Sequence, residues 1–156
     1  MKKGFLFQRL LNYDKQGFEQ LVADSYDNVN KDINFKFYGF DRNPLAVDAA
    51  RRNAEAAEVE DYLKIECKDI LDFHPPCEKG TIIINPPFGE RLNPGAEAFE
   101  IYEDISHVLK RRFKGWTVWI LSGNPELSKA FGLKSKRKIP VYNGNIECRF
   151  INYDIH

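Results

Sequence analysis

Cysteine is scarce in this chain. Cys67, Cys77 and Cys148 are three in number, far apart in sequence, and never in a C-x-x-C arrangement. An odd, scattered set of thiols excludes a disulfide framework and a zinc knuckle, and makes a reducing cytoplasm the expected compartment. Net charge is lacking as well: 23 Lys and Arg face 23 Asp and Glu. That argues against a nucleic-acid binder working through bulk charge and leaves only a local patch. No apolar run reaches bilayer length, and the opening MKKGFLFQRL has neither the apolar stretch nor the small-residue cleavage site of a secretory leader. Repeats and low-complexity tracts are missing too. What remains is ample material for a core: 156 residues, 43% hydrophobic and 13% aromatic, exclude a disordered chain and fit one domain over residues 1–156.

Helix-like and strand-like segments alternate, which predicts an α/β fold with helices on the faces of a sheet. The spacing of Phe18, Leu21, Val22 and Tyr26 predicts a helix over Lys15 to Val29. A strand over Ile33 to Phe40 follows, then a helix capped by Asn43, opened by Pro44 and rich in alanine. Tyr62 to Cys67 reads as a short strand. Gly80 to Ile84 is a continuous β-branched run, the pattern of a strand covered on both faces in a parallel sheet. Two prolines stop it at Asn85-Pro86-Pro87-Phe88. Ala96 to Phe113 predicts a helix with acids early and bases late, matching its dipole. Trp116 to Leu121 predicts a strand and Pro125 to Phe131 a short helix. Lys138 to Tyr142 and Ile146 to Ile155 form a hairpin across Asn143-Gly144, on a type I′ or related turn.

Three strand ends carry the candidate chemistry. In open α/β sheets ligands collect at the carboxyl ends of strands, where Asn85-Pro86-Pro87-Phe88 falls. The Asn85 amide oxygen and the Pro86 carbonyl can accept from one exocyclic NH₂ group. The prolines hold the loop rigid, and Phe88 offers a face for stacking a planar base. Two acceptors draw the amine lone pair toward attack on an activated methyl group. A rigid Pro-Pro turn with Asn85 serving the loop backbone is the plain alternative. Asp41, in Asp41-Arg42-Asn43-Pro44, can accept from ribose hydroxyls, or simply serve the dipole of the helix that follows. Asp69 can accept from an adenine amine while Ile70 packs on the ring, although a lone strand-end Asp is commonly a turn residue. Glu90 and Arg91 pair locally or touch substrate. His74, His107 and His156 have no neighbours at ligand spacing, so no metal site is expected. Cys67 and Cys148 read as inert residues in strands. Lys134, Lys136, Arg137 and Lys138 form a basic run, read as an edge-strand guard or as a phosphate contact.

Together, Asp41-Arg42-Asn43-Pro44, Asp69, Asn85-Pro86-Pro87-Phe88-Gly89-Glu90-Arg91-Leu92, Gly115-Trp116 and Asn143-Gly144 resemble the THUMP-associated 23S rRNA guanine-N2 methyltransferases. Members of that family have also been labelled N6-adenine-specific DNA methylases because they share the N-P-P-[FY] element. Gly4-Phe5-Leu6-Phe7 and the helix after it extend the likeness over nearly the whole chain. The resemblance implies a Rossmann-like fold, mostly a parallel sheet with a C-terminal antiparallel hairpin. It also implies S-adenosyl-L-methionine as cofactor and RNA as partner. Asp41, Arg42, Asp69, Ile70 and Asn85 would line the cofactor; Asn85, Pro86, Pro87 and Phe88 would hold the target base; and Phe88, Glu90 and Arg91 would contact substrate. The base would leave its stack to react. Phe88 stands where tyrosine is usual, keeping the face and losing a hydroxyl.

One departure is larger. The family's first strand and its D-P-[FM]-C-G-S-G-T-like loop precede the point where this chain begins, and nothing between Met1 and Asp41 resembles them. In the family that strand lies between the strands ending at Asp41 and Asn85. Losing it strips about five hydrogen bonds from each edge, at about 1 kcal/mol net apiece, which rivals a domain's whole stability of about 5–15 kcal/mol. The expectation is a partial catalytic domain in which the two edges close up, Gly4 to Leu10 fills the gap, or another segment or copy completes the sheet. A non-catalytic or partner-completed fragment and an N6-adenine DNA methylase are the alternative readings.

Overall fold

The computed structural model describes residues 4–30, 32–86 and 95–156 and divides the chain into two compact units, residues 1–67 and 68–156. In the first unit a 3-10 turn at Leu6–Arg9 precedes helix α1, Lys15–Asp27. The Asp14 carboxylate caps α1 by accepting from Gly17 N–H at 2.9 Å. Phe5, Phe7, Tyr13 and Phe18 form a small aromatic cluster, with ring centroids 5.3–6.1 Å apart. Only half of the expected apolar stripe is engaged: Phe18 joins this cluster and Val22 is half-buried, while Leu21 and Tyr26 stay exposed. Gly4 to Leu10 is therefore a turn and not a strand, and it does not extend a sheet.

Strand β1, Phe37–Asp41, pairs in parallel with β2, Leu63–Cys67, from Phe37↔Leu63 to Asp41↔Cys67. The strand starts four residues later than Ile33, the start expected from the sequence. Between them runs α2, Pro44–Ala56, capped by Asn43 Oδ1, which accepts from Leu45 N–H at 3.0 Å. Val47 and Ala54 are its buried residues. The Arg51 guanidinium donates twice to the Ile65 carbonyl, at 2.7 and 3.2 Å, and fastens the helix to β2. The helix ends with Glu58 in the left-handed region, φ 57°. Glu58 N–H donates to Glu55 O and Val59 N–H to Ala54 O, the Schellman pattern with glutamate where glycine is usual.

The second unit holds a four-stranded sheet in the order β3-β4-β6-β5. Its strands are β3 Thr81–Ile84, β4 Thr117–Ser122, β5 Arg137–Asn143 and β6 Ile146–Asp154. Helix α3, Ala96–Arg112, crosses from β3 to β4, and α4, Pro125–Ala130, follows β4. The β3/β4 pair is parallel; β4/β6 and β6/β5 are antiparallel. Among the described residues parallel and antiparallel ladders are thus equal in number across the two sheets, where a mostly parallel sheet was expected. The hairpin is present, but its loop is Gly144–Asn145, because Asn143 pairs with Ile146. Gly144 has φ 61° and Asn145 has no positive φ, the II′ pattern, a turn related to I′ as expected.

The core lies on one face of this sheet. Tyr102, Ile105, Leu109 and Phe113 pack onto Val118, Ile120, Ile151 and Tyr153, with Leu127 and Phe131 beside them. Burial pushes the Tyr153 phenol up to about 12, with Tyr102 nearby adding to the effect. Burial likewise raises the Tyr102 phenol; the neighbouring Ser122 hydroxyl offsets this in part, without a hydrogen bond of ordinary geometry. Ile82 and Ile84 join the core. Thr81 and Ile83 point the other way with Trp119, which stacks on Phe150 at 4.7 Å. Ile83 is 72% exposed. The expectation that β3 is covered on both faces therefore fails: only its core face is covered within this unit. Among the described residues, β1 pairs with β2 within the first unit and β3 with β4 within the second.

Candidate functional site at the strand ends

Each candidate acidic or amide residue stands at the carboxyl end of a parallel strand. Asp41 is the last residue of β1, and its Oδ1 accepts from Asn43 N–H at 2.8 Å, a short turn that sets up the Asn43 cap. The Arg42 carbonyl accepts from the Cys67 thiol at 3.6 Å, tying the two strand ends together. Asp41 and Arg42 are both exposed. Cys67 is exposed as well, unlike the buried Cys148.

Asp69 lies two residues beyond β2. Its Oδ1 accepts from Leu71 N–H at 2.9 Å and caps a 3-10 turn over Ile70–Asp72. Ile70 is half-buried and packs against the core cluster of its unit. The turn is held by a residue that sequence reasoning assigns to the α3 dipole alone: Arg112 donates to the carbonyls of Leu71 and Phe73. Nothing in the order of residues announces a contact across some forty positions. Trp116, read from sequence as a strand start and as part of the family resemblance, is a second anchor. Its indole N–H donates to Glu78 O at 3.1 Å, fixing the approach to β3.

Asn85 follows β3 directly and is exposed, whereas Pro86 is buried. A buried ring after an exposed amide holds the backbone while leaving the side chain accessible. Because β3 and β4 are parallel and Ile84 is level with Ile120, Asn85 stands at the sheet end that also carries the turn after β4. There Ser122 donates to Asn124 O, Ser128 donates to Ser122 Oγ, and Asn124 caps α4. Pro87, Phe88, Glu90 and Arg91 lie outside the described residues. Asp69 and Asn85 belong to one unit and Asp41 and Arg42 to the other.

Two surface clefts, of about 380 and 280 Å³, are lined by α2/β2 residues around Arg51 and Lys64 and by α3 residues around His107 and Arg111. Neither includes Asp41, Asp69 or Asn85. Among the described residues no cluster of metal-ligating side chains occurs, and no helix is long and apolar enough to cross a membrane. Chemically, the strand ends offer two carboxylates and one amide. Each carboxylate commits one oxygen to a backbone N–H and retains acceptor capacity on the other. Each strand end by itself offers an acceptor suited to a hydroxyl or amine donor.

Residues 4–152 match the UPF0020 family, described as the RMKL-like methyltransferase domain. The chain is 33% identical over 158 residues to the ribosomal RNA large subunit methyltransferase K/L of Shewanella loihica, covering 99% of this chain and 22% of that protein. It is 29% identical over 153 residues to slr0064 of Synechocystis sp., assigned as an RNA methyltransferase, covering 98% of this chain and 40% of that one. Among solved structures, a possible methylase from Clostridium difficile 630 superposes with TM-score 0.85 at 28% identity, covering 99% of this chain and 41% of that chain. SMU.472, assigned as a methyltransferase and crystallised with SAH, gives TM-score 0.83 at 25% identity, with 99% and 41% covered. The chain therefore spans well under half the length of these relatives, and its fold is the Rossmann-like one they share. By the match over nearly its whole length, the chain belongs to the RMKL-like methyltransferase domain family.

Proposed function

We propose that this chain is the C-terminal part of the catalytic domain of an S-adenosylmethionine-dependent methyltransferase acting on an exocyclic amine of an RNA base, guanine N2 of 23S rRNA. The observation that carries the reading is Asn85, exposed at the end of β3 and followed by the buried Pro86. S-adenosylmethionine, when bound, supplies an electrophilic methyl group. The residues here do the rest. Asp41 accepts from the ribose hydroxyls, and Asp69 accepts from the adenine amine beside Ile70. The Asn85 amide oxygen and the Pro86 carbonyl would accept both hydrogens of the target amine and orient its lone pair for attack on that methyl group. Phe88 stacks the unpaired base and offsets part of the cost of extruding it, and Glu90 and Arg91 contact the substrate nearby. The amine loses its proton after transfer, so no strong base is required. The SAH-bound relative and the rRNA methyltransferase relatives support cofactor and substrate class.

Calorimetry with S-adenosylmethionine, on this chain and on one extended through a glycine-rich loop, tests the proposal. The extended protein is expected to bind cofactor and to transfer radiolabelled methyl to rRNA, with Asn85→Ala losing transfer. An extended protein that binds no cofactor and methylates no RNA refutes it.

A second reading concerns completeness. Among the described residues one edge of β3 has no partner strand, and Ile83 is exposed; both favour a strand supplied from outside residues 1–156, by a longer chain or by another polypeptide. Light scattering after size-exclusion chromatography tests it. A stable, well-folded monomer of the 156-residue chain counts against completion by a partner.

A further inference from the structure

The basic run before the hairpin is not used by the strand-end site. In the fold it becomes part of a patch. Lys138, Pro140 and Tyr142 alternate on β5 and so share one face. Arg149 of β6 is level with Pro140, on that same face, which is the sheet face that buries Ile151 and Ser122 farther in; at this end Lys138, Pro140, Tyr142 and Arg149 are all exposed. This places Arg149 diagonally between Lys138 and Tyr142, about 7–8 Å from each by ordinary sheet geometry. Arg137 stands on the reverse face of the strand, and Lys134 lies just before it. Among the described residues none of Lys134, Arg137, Lys138 and Arg149 has a carboxylate partner, whereas Lys136 is taken up by Asp154 at 2.7 Å. Glu147, opposite Tyr142, is the anion of the hairpin that faces the group. Tyr142 is 75% exposed.

Edge protection explains part of this. β5 is an edge strand, and lysine, arginine and proline on it deter pairing with another sheet. It does not explain Arg149, which is on an interior strand, nor a large aromatic ring held out in water. A chain of zero net charge that sets two cations, Lys138 and Arg149, beside an exposed ring on one face has concentrated both features of a single-strand nucleic-acid surface: cations for the phosphates and a ring for a base.

We propose that this face of the β5–β6 hairpin is an RNA contact, in which Lys138 and Arg149 meet successive phosphates and Tyr142 stacks an unpaired base. It rests on the nucleic-acid reading above and extends it to a surface that Asn85 does not touch. Such a contact holds the strand while the target base enters the site.

The test is fluorescence anisotropy of the 156-residue chain with a labelled, unstructured RNA of about 12 nucleotides, between about 50 and 200 mM salt. The double variant Lys138→Glu/Arg149→Glu is expected to bind at least about tenfold more weakly, and its log-log salt slope to fall by about 1.4, or about 0.7 for each phosphate that is no longer neutralised. Arg111→Glu/Lys114→Glu changes net charge equally on exposed residues elsewhere and is expected to change affinity less than about threefold by that same logic. Tyr142→Ala is expected to lose about five- to hundredfold and Tyr142→Phe to keep binding, since only the ring stacks. Far-UV circular dichroism confirms that each variant is folded, and the mild Tyr142→Phe and Arg111→Glu/Lys114→Glu changes keep the comparison informative. The proposal is overturned if the chain binds no RNA at low salt, if the hairpin variants bind as the parent does, if the control pair loses as much, or if polyglutamate displaces the RNA at equal charge. Cofactor calorimetry is independent of all four outcomes. An extended protein that binds S-adenosylmethionine while the hairpin variants bind RNA normally sinks the hairpin contact and leaves the strand-end site standing.

Discussion

Replacing Gly80 by alanine should unsettle the second unit through one ring. A Cβ at Gly80 would lie 2.5 Å from Cζ3, 2.7 Å from Cη2 and 3.0 Å from Cε3 of Trp116. Carbon atoms at rest sit about 3.5–4.0 Å apart, so the indole must retreat by about 1 Å. It has little room: Trp116 is 6% exposed, meets Phe113 edge-on at 5.3 Å and donates to Glu78 O. Overpacking of this kind costs about 1–3 kcal/mol, and a weakened hydrogen bond about 1 kcal/mol more. The stiffer unfolded chain of the alanine variant returns about 0.4–1 kcal/mol. The net expectation is a loss of about 1–3 kcal/mol, read from the urea midpoint by tryptophan fluorescence. Backbone pairing of Thr117 N–H with Gly80 O transmits any shift into β3, and thence to Asn85. The cause is checked by pairing Gly80→Ala with Trp116→Leu. With the ring gone, the alanine should cost less than about 0.5 kcal/mol, leaving a coupling of at least about 0.5 kcal/mol. A Gly80→Ala chain as stable as its parent, or a penalty that survives loss of the indole, refutes the reasoning.

Four further outcomes are expected. Asp69→Ala removes the cap of its 3-10 turn and should cost about 1 kcal/mol, whereas Asp69→Asn keeps an acceptor oxygen and should cost little; in an extended protein both should weaken cofactor binding, so comparing calorimetry with urea midpoints separates cap from ligand. Glu58→Gly relieves a left-handed residue and should raise stability by about 1 kcal/mol in thermal unfolding. Tyr102→Phe deletes a buried hydroxyl that has no hydrogen bond and should raise the urea midpoint, by about 1 kcal/mol. The hydrogen bond from Lys136 holds the Asp154 carboxyl below its ordinary 3.8. Its small contribution is therefore present above about pH 4 and fades as pH falls through the depressed value; carbon-13 NMR titration should show the Asp154 pKa rising in Lys136→Met.

How much could be read without coordinates varies from place to place for physical reasons. Helix α2 was legible because its determinants are local: an Asn cap, a proline in the first turn and a run of alanines. Strand β1 begins later than its apolar composition suggests, because residues 33–36 have no partner on β2, whose pairing starts at Leu63. Composition reports willingness to be a strand, and pairing decides where one is. The same limit explains β3, whose unbroken β-branched run suits burial on two faces, although this unit provides a covering for only one. The strand-end residues Asp41, Asp69 and Asn85 were legible because turn chemistry marks strand ends in sequence. Arg112 and Trp116 were not, since their partners are carbonyl oxygens some forty residues away.

The order of residues by itself determined the alternation of helices and strands and the residues at three strand ends, because these follow from caps, prolines and periodicity acting over a few positions; its motifs, by resemblance, also pointed to the methyltransferase family that the match over residues 4–152 shows. Tertiary structure alone decided which face of β3 is buried, which arginine holds the Asp69 turn, and that Lys138, Arg149 and Tyr142 meet on one surface. Strand register brings together residues that are eleven positions apart in the chain, as it does Lys138 and Arg149, and only the paired backbone states that register.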